Sequence, residues 1–448
     1  MIVMKFGGTS VQNEEAIRRV INIVRSRLDE HPVVVVSALA KVTRQLVEMA
    51  EEAGSQHTAR VREILEELRY RHFNLCKALL EGEILDKALE REAELFLSLS
   101  DFVEGVCQIG ELSPRSRARI ISMGEMLSSV IVSAAMNQNG IISHWTDARK
   151  LITTDDNYLS ARPDLNVTRA NVLSIIPALA KDADIVLTQG FVASTLDGIP
   201  AVLGFEGSDY SAAIFGMALK ADRVEIWTDV DGIRSADPRV VENTCRIERI
   251  SYDEAAEMAY LGARVLHPLT IEPASKENIP IVVLNTMNPS GEGTVVEAGG
   301  SIQAGPKSVA FRNDIDYLEI TAHRLTEVTK MLNKVFSIFS ACRLQVSLVN
   351  VSQSKVYVTL ESGQPGFADA FEKISDVADV ALYRDRSQIS VVGTNVALQK
   401  GLTDEMVAVA GNVDMLIHGA NKQSISVVVK REDAKEIVNN LHKRLFEN

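Results

Sequence analysis

The sequence predicts an α/β fold with a mostly parallel sheet, followed by two ferredoxin-like α+β modules. Three observations carry that prediction. Val33-Val34-Val35-Val36 is a short β-branched run without alternation, the pattern of a strand buried on both faces between helices. Strand and helix patterns then alternate as far as Gly300, which implies repeated β-α units. Beyond Gly300 the order β-α-β-β-α occurs twice in succession.

A chain of 448 residues is too long for one core and suggests two or three domains. Its 46% hydrophobic and 24% charged residues are those of a globular protein. No run reads as long enough to cross a bilayer and no leader precedes Lys5, so the expected location is cytoplasmic, with no membrane partner. The formal charge of −13 argues against nucleic acid, whose phosphates require a basic face. An anionic ligand would need a few local cations to reverse the field, with Lys5, Arg239 and Arg264 as candidates. Cys76, Cys107, Cys245 and Cys342 are scattered, without C-x-x-C pairs, and suggest neither a disulfide frame nor a metal site.

Taken in order, the chain opens on a short apolar strand ending in Lys5-Phe6-Gly7-Gly8-Thr9-Ser10. Two glycines let the backbone approach a ligand, and hydroxyls before a helix start add donors, so the turn reads as a phosphate cradle or as an ordinary tight turn. It is not a Walker loop, because the lysine precedes the glycines. Asn13 can cap a helix with Ile17, Val20, Ile21 and Val24 on one face. The Val33–Val36 strand ends in a small-residue turn, Ser37 to Thr43, the place where such folds gather function. Thr43 to Leu112 is helix-rich, broken at Gly54 and Gly82, and reads as an insertion with solvated Glu/Arg pairs.

Ser113-Pro114 starts a further helix that carries Gly124-Glu125 at its middle among apolar residues. Glu125 is either turned to water or held by a buried partner. Asp197-Gly198 reads as a hairpin turn. Gly204 to Ser211 forms a second glycine-bearing turn at a helix start, where Ser208 or Asp209 can serve as a cap with or without a ligand role. The strand Val224–Thr228 leads into Asp229-Val230-Asp231-Gly232 and then Asp237-Pro238-Arg239, acid-rich turns without a calcium-loop pattern. His267 before Pro268 reads as a structural histidine. The expected division is a first domain over residues 1–298, a module over 299–383, and a module over 384–448, with a hinge at Gly299-Gly300-Ser301.

These blocks, joined by Gln189-Gly190-Phe191, Trp227-Thr228 and Val265-Leu266-His267-Pro268, resemble the aspartate kinases of the amino-acid kinase family, nearly end to end. The C-terminal modules resemble the paired ACT domains of those enzymes. The resemblance implies an αβα sandwich, with the strand near residues 305–313 completing the second ACT module. It implies ATP as substrate, Mg²⁺ bound mainly through the ATP phosphates with no metal site of protein residues, and transfer to the aspartate side-chain carboxylate, the first step toward lysine, threonine and methionine. A carboxylate nucleophile is already ionised at neutral pH and requires no base. The resemblance gives catalytic roles to Lys5 and Asp209. It places the amino acid against Ser37, Thr43, Glu125, Phe191 and Ser208, with Glu125 receiving the ammonium. It places nucleotide at Lys5, Gly7, Gly8, Thr228, Asp229, Arg234, Arg239 and Arg264. It also implies an amino-acid effector near Met331, Leu332 and Ser347, and a homodimer or tetramer joined through the ACT modules.

Departures from the family pattern define the open questions. Phe205 stands where the family's L-G-R-x-G-S-D block has an arginine that clamps the substrate α-carboxylate. Lys41, where glycine is usual, either supplies the missing cation or is a solvated loop residue. Arg264 replaces a lysine, Ser347 an aspartate, and Lys330 a glycine-containing pattern. The alternatives to an active aspartate kinase are a weak or inactive amino-acid-sensing paralogue and a kinase for another carboxylate.

Overall fold

The computed structural model describes residues 1–204, 206–263, 266–300, 304–322, 328–419 and 421–447. By contacts the chain forms two compact units. The first comprises Met1–Ile233, Arg246–Ala256 and Val265–Ser301, and the second comprises Arg234–Cys245, Glu257–Arg264 and Ile302–Asn448.

In the first unit, β1 (Val3–Phe6), α1 (Glu14–Arg25) and β2 (Val33–Val36) follow the expected pattern. The Asn13 side chain accepts the Ala16 N–H at 3.0 Å, a cap whose loss costs about 1 kcal/mol. The helical insertion is α2 (Val42–Gly54), α3 (Thr58–Leu79) and α4 (Gly82–Ile109). Its surface carries the expected pairs, such as Arg60 with Glu48 and Lys87 with Glu83. Its interior also holds His72 and Glu92, both fully buried.

The helix expected to run through Glu125 is interrupted. Ser122 ends α5 (Pro114–Ile121) and opens α6 (Met123–Gln138), which puts Glu125 in a first turn instead of mid-helix. Contrary to the sequence expectation, Pro114–Gln138 is long and apolar enough to span a bilayer by composition. Since 83% of that window is buried inside the protein, its apolar character serves the core.

The unit continues through β3 (Ser143–Trp145), β4 (Thr153–Thr154), α7 (Leu165–Leu179), β5 (Ile185–Gln189), β6 (Val192–Thr195) and β7 (Pro200–Val202). The hairpin at Asp197-Gly198 joins β6 to β7 antiparallel. Next come α8 (Gly207–Leu219), β8 (Val224–Thr228), β9 (Arg249–Ser251), α9 (Tyr252–Tyr260), α10 (Pro268–Lys276), β10 (Ile281–Asn285) and β11 (Thr294–Glu297). The main sheet has the order β3-β5-β2-β1-β8-β10-β11-β9 and is parallel except for β10–β11. Its central strands β1 and β2 are wholly buried, which explains their unbroken apolar sequence.

The second unit is built on β12 (Gly305–Thr321), α11 (Val328–Ala341), β13 (Val346–Val351), β14 (Lys355–Glu361), α12 (Phe367–Ser375), β15 (Asp379–Thr394), α13 (Leu402–Ala410), β16 (Met415–Ile417), β17 (Ser424–Lys430) and α14 (Arg431–Phe446). Its six strands form one antiparallel sheet, β13-β14-β12-β15-β17-β16. The two long strands, β12 and β15, run through both modules, so Gly305–Arg312 pairs in one half and Ile315–Thr321 in the other. Asp314 and Asp385 adopt left-handed φ of 58° and 55° where the pairing shifts register between the halves. Each half has its own helix-covered core, one around Val335, Phe339 and Val358, the other around Met406, Val427 and Leu441.

Candidate active site

In a parallel α/β sheet the carboxyl ends of the strands and the helix starts beyond them lie together, and there the first unit gathers its polar residues. Lys5 near the end of β1 is 9% exposed and its Nζ is ion-paired with Asp209 Oδ1 in the first turn of α8. Gly8 is held against the turn after β2, where a side chain would place its Cβ 2.9 Å from the Ala38 carbonyl oxygen. The Ala40 N–H in turn donates to the Gly8 carbonyl at 3.1 Å. Among the described residues no protein acceptor meets the N–H groups of Gly8 and Thr9, so both remain available to an anion beside the lysine.

The opposite wall comes from α6, β5 and α8. Glu125 is 3% exposed, and its carboxyl accepts the N–H groups of Ala38 and of Glu125 itself. Its Oε2 has no partner. Burial, only partly offset by those amides and by Lys5, pushes its pKa up to about 8. Glu225 on β8 is as deeply buried, yet it receives donors from Arg27, Arg223 and the Trp227 indole. One buried glutamate is a completed structural hub, and the other lacks a donor that a ligand can bring. This decides the sequence alternative for Glu125, which is buried and not turned to water.

Gly190 and Ser208 close the same wall. A Cβ on Gly190 would fall 2.6 Å from the Ser208 Cβ, so the approach of these turns requires glycine. Phe191 lies in the left-handed region at φ 64°, its N–H donating to Ser211 Oγ at 2.9 Å. Lys41 at φ 73° and Glu206 at φ 52° share that conformation, unusual for side chains other than glycine. Ser37 takes a Ser128 hydroxyl on its carbonyl at 2.7 Å, and Thr43 lies half-buried in the first turn of α2. Lys41 is exposed at the start of α2.

The nucleotide-side residues divide. Thr228 ends β8 and its hydroxyl meets Asp229 Oδ1 at 3.1 Å, with Asp229 exposed. Arg234 and Arg239 belong to the second unit. Arg234 is bound to Thr244 through its hydroxyl and carbonyl, both at 2.5 Å. Arg239, whose side chain is 70% exposed, is paired with Asp237. Phe205, Arg264, Val265 and Ser301 lie outside the described residues, as does the part of the Leu325–Leu332 loop before residue 328. In the second unit Met331 is buried in the core and Leu332 packs against it. Ser347 Oγ accepts from Arg312 at 3.2 Å. His267 Nδ1 accepts the Leu269 N–H at 3.2 Å, a helix cap made by a neutral ring whose pKa is lowered by burial.

Sequence reading missed two contributors. Arg71 of α3 donates to the carbonyls of Ala40 at 2.8 Å and Gln12 at 3.2 Å, tying the insertion to both loops of the cradle. No local pattern announces this, because it depends on how α3 lies across two distant turns. Glu206 was passed over inside a glycine turn, and its Oε2 is buried without a partner.

The sequence pattern of the amino acid kinase family matches residues 1–285, well over half of the chain. The chain belongs to the amino acid kinase family. An ACT-domain pattern matches residues 389–445. Among curated relatives of this family, lysine-sensitive aspartokinase 3 of Escherichia coli (strain K12) is 31% identical, over all of this chain and 99% of that protein. The chloroplastic aspartokinase 3 of Arabidopsis thaliana is 32% identical over 99% of this chain and 81% of its own length. Of solved structures, E. coli aspartokinase III in complex with aspartate and ADP (R-state) superposes with a TM-score of 0.88 at 30% identity, covering both chains fully. The same enzyme with lysine and aspartate (T-state) gives 0.83, also at 30% identity, over all of this chain and 99% of that one.

Proposed function

We propose that this chain is an aspartate kinase, transferring the γ-phosphoryl group of ATP to the side-chain carboxylate of L-aspartate to give 4-phospho-L-aspartate and ADP. The observation that carries the reading is the juxtaposition of Lys5, the open Gly8 and Thr9 amides, and the unfilled Glu125 carboxyl at one set of strand ends. Relatives that are aspartokinases over their full common length support it.

In the proposed reaction an aspartate carboxylate oxygen attacks the γ-phosphorus. The bond to the β,γ-bridging oxygen breaks and its electron pair leaves with ADP. The acceptor is already an anion, so the barrier is dominated by charge repulsion and by charge on the moving group. Lys5 lies where it offsets that charge, the cradle amides fix the phosphates, and Asp209 holds the ammonium in place. Glu125 orients the acceptor through its ammonium. Ser37, Thr43, Phe191 and Ser208 line the acceptor side, and Thr228 and Asp229 the nucleotide side, with Gly7 and Gly8 between. We assign Mg²⁺ to the phosphates of MgATP, as the resemblance to the aspartate kinases implies. Bound there it screens their charge.

An amino-acid effector is proposed for the ACT unit, where Ser347 stands in place of a family aspartate and accepts from Arg312, and assembly as a homodimer or tetramer is proposed through that unit. We place the activity in the cytoplasm, where ATP and free aspartate meet. The product is an acyl phosphate, so hydroxylamine will trap it. Purified protein with ATP and Mg²⁺ is expected to give hydroxamate with aspartate, and not with glutamate or N-acetylglutamate. Product from another acid alone would replace aspartate as acceptor, and none from any acid would leave a sensing protein.

A further inference from the structure

We infer that Glu206 grips the acceptor as a neutral carboxyl, donating a hydrogen bond to the α-carboxylate of aspartate, and so does the work of the absent arginine. The inference rests on the aspartate-kinase reading and names a residue outside the set that the resemblance supplies.

The argument begins with hydrogen-bond accounting. Two carboxylate oxygens around Lys5 are removed from water and lack donors, Glu125 Oε2 and Glu206 Oε2. Aspartate brings one ammonium, which can complete one of them. The second must hold a proton of its own or meet another donor. Glu206 opens α8 in a left-handed conformation, one turn from Asp209, with its carboxyl accepting the His267 N–H. Its charged surroundings among the described residues are Asp209 on its own helix, which repels a second negative charge, and Lys5 on β1, which attracts it. Lys5 is already paired with Asp209 and also faces Glu125, so three carboxyls share one ammonium. Burial and Asp209 together raise the Glu206 pKa above the ordinary carboxylate range.

An incoming aspartate carries two carboxylates, and ATP more negative charge still. Each adds to the repulsion that keeps the Glu206 proton in place. A protonated carboxyl against a carboxylate is a short charge-assisted bond, whereas an ionised one would expel the substrate. The neighbouring Phe205 offers no charge to do this in its stead. The sign of the Glu206 effect follows: the binding-competent form of Glu206 is protonated, so its contribution to affinity is present at low pH and is lost as pH rises through the Glu206 pKa.

The test is the pH dependence of the aspartate KM in wild-type protein, Glu206→Gln and Glu206→Ala, using hydroxamate formation with saturating MgATP. Wild-type activity itself tests the aspartate-kinase reading, so a failure there is separate from a failure here. In wild type the aspartate KM is expected to rise as pH passes upward through the Glu206 pKa, against the opposite trend set by Glu125. Glu206→Gln, which keeps a donor, is expected to abolish that rise while holding a low KM. Glu206→Ala is expected to raise KM about tenfold or more at every pH. ADP protection against thermal unfolding confirms that each variant is folded. The inference is overturned if Glu206→Gln raises KM as much as Glu206→Ala. It is equally overturned if Glu206→Ala leaves KM unaltered.

Discussion

The two units of this chain treat polar groups in opposite ways. In the first, the strand ends leave buried acceptors open, with Glu125 Oε2 and Glu206 Oε2 both lacking donors around Lys5. In the second, Gln388 Oε1 is the one buried side-chain polar atom without a partner among the described residues. Its charges are paired near the surface, Arg386 with Asp414 and Arg431 with Asp314. Unsatisfied buried groups cost stability; at Glu125 a ligand can complete such a group, whereas elsewhere in the first unit, as at Glu92, the carboxyl keeps its own proton. The difference separates a unit built to bind and react from one whose sheet is internally complete.

The comparison is broken most severely at its single ammonium. Lys5→Ala is expected to lower kcat by about a thousandfold or more, since an electrostatic stabiliser of the transferring group is removed. The measurement is hydroxamate release under saturating substrates, with ADP binding retained as evidence of folding. A loss below tenfold would deny Lys5 its role. Next, Glu125→Gln is expected to raise the aspartate KM by about ten- to a hundredfold, because the ammonium loses a charged partner. In wild type the ionised Glu125 binds the ammonium, so its contribution improves as pH climbs toward the pKa of about 8 and levels above it. That segment of the profile should be absent in the variant.

Glu92 sharpens the contrast within the first unit. Both of its oxygens are buried and unpartnered, and burial holds its pKa well above the carboxylate range. A folded state that keeps a proton which the unfolded chain releases loses stability as pH rises above the ordinary glutamate value. Glu92→Gln should therefore raise Tm more at pH 9 than at pH 5, by thermal melts at both. Equal shifts would mean that Glu92 is not protonated in the fold. The smallest effect belongs to the second unit. Arg386→Ala removes a partly exposed ion pair and a contact over Tyr383, costing about 1 kcal/mol or less. Catalysis should stay within twofold, as read from kcat/KM.

Much of the architecture was legible because it rests on local pattern. The apolar runs of β1 and β2, the Asn13 cap, the hairpin at Asp197-Gly198 and the breaks at Gly54 and Gly82 are all consequences of short-range chemistry. The break at Ser122 was not, since nothing in Ile121-Ser122-Met123 stops a helix. It accompanies a close approach of Gly124 to the turn after β2, where an added Cβ would fall 2.9 Å from the Ala38 Cβ. At the site, Lys5 and the glycines announced a cradle, while the state of Glu125 depended on counting its donors in three dimensions. Arg239 reads in sequence as a free cation, and in the fold it is paired with its neighbour Asp237 while staying largely exposed. Arg71 and Glu206 were illegible for the same reason, as each acquires its meaning from residues far away in the chain.

The most direct test of the central claim is calorimetry of aspartate binding at pH 7 by the Glu206→Gln protein, whose residue 206 carries no titrating proton, in two buffers of different ionisation enthalpy. At that pH Glu125 holds a proton in the empty site, and the substrate ammonium must displace it. Up to one proton released per aspartate bound, and none with succinate, which has no ammonium, is the predicted result. Binding of aspartate without proton release would contradict the account.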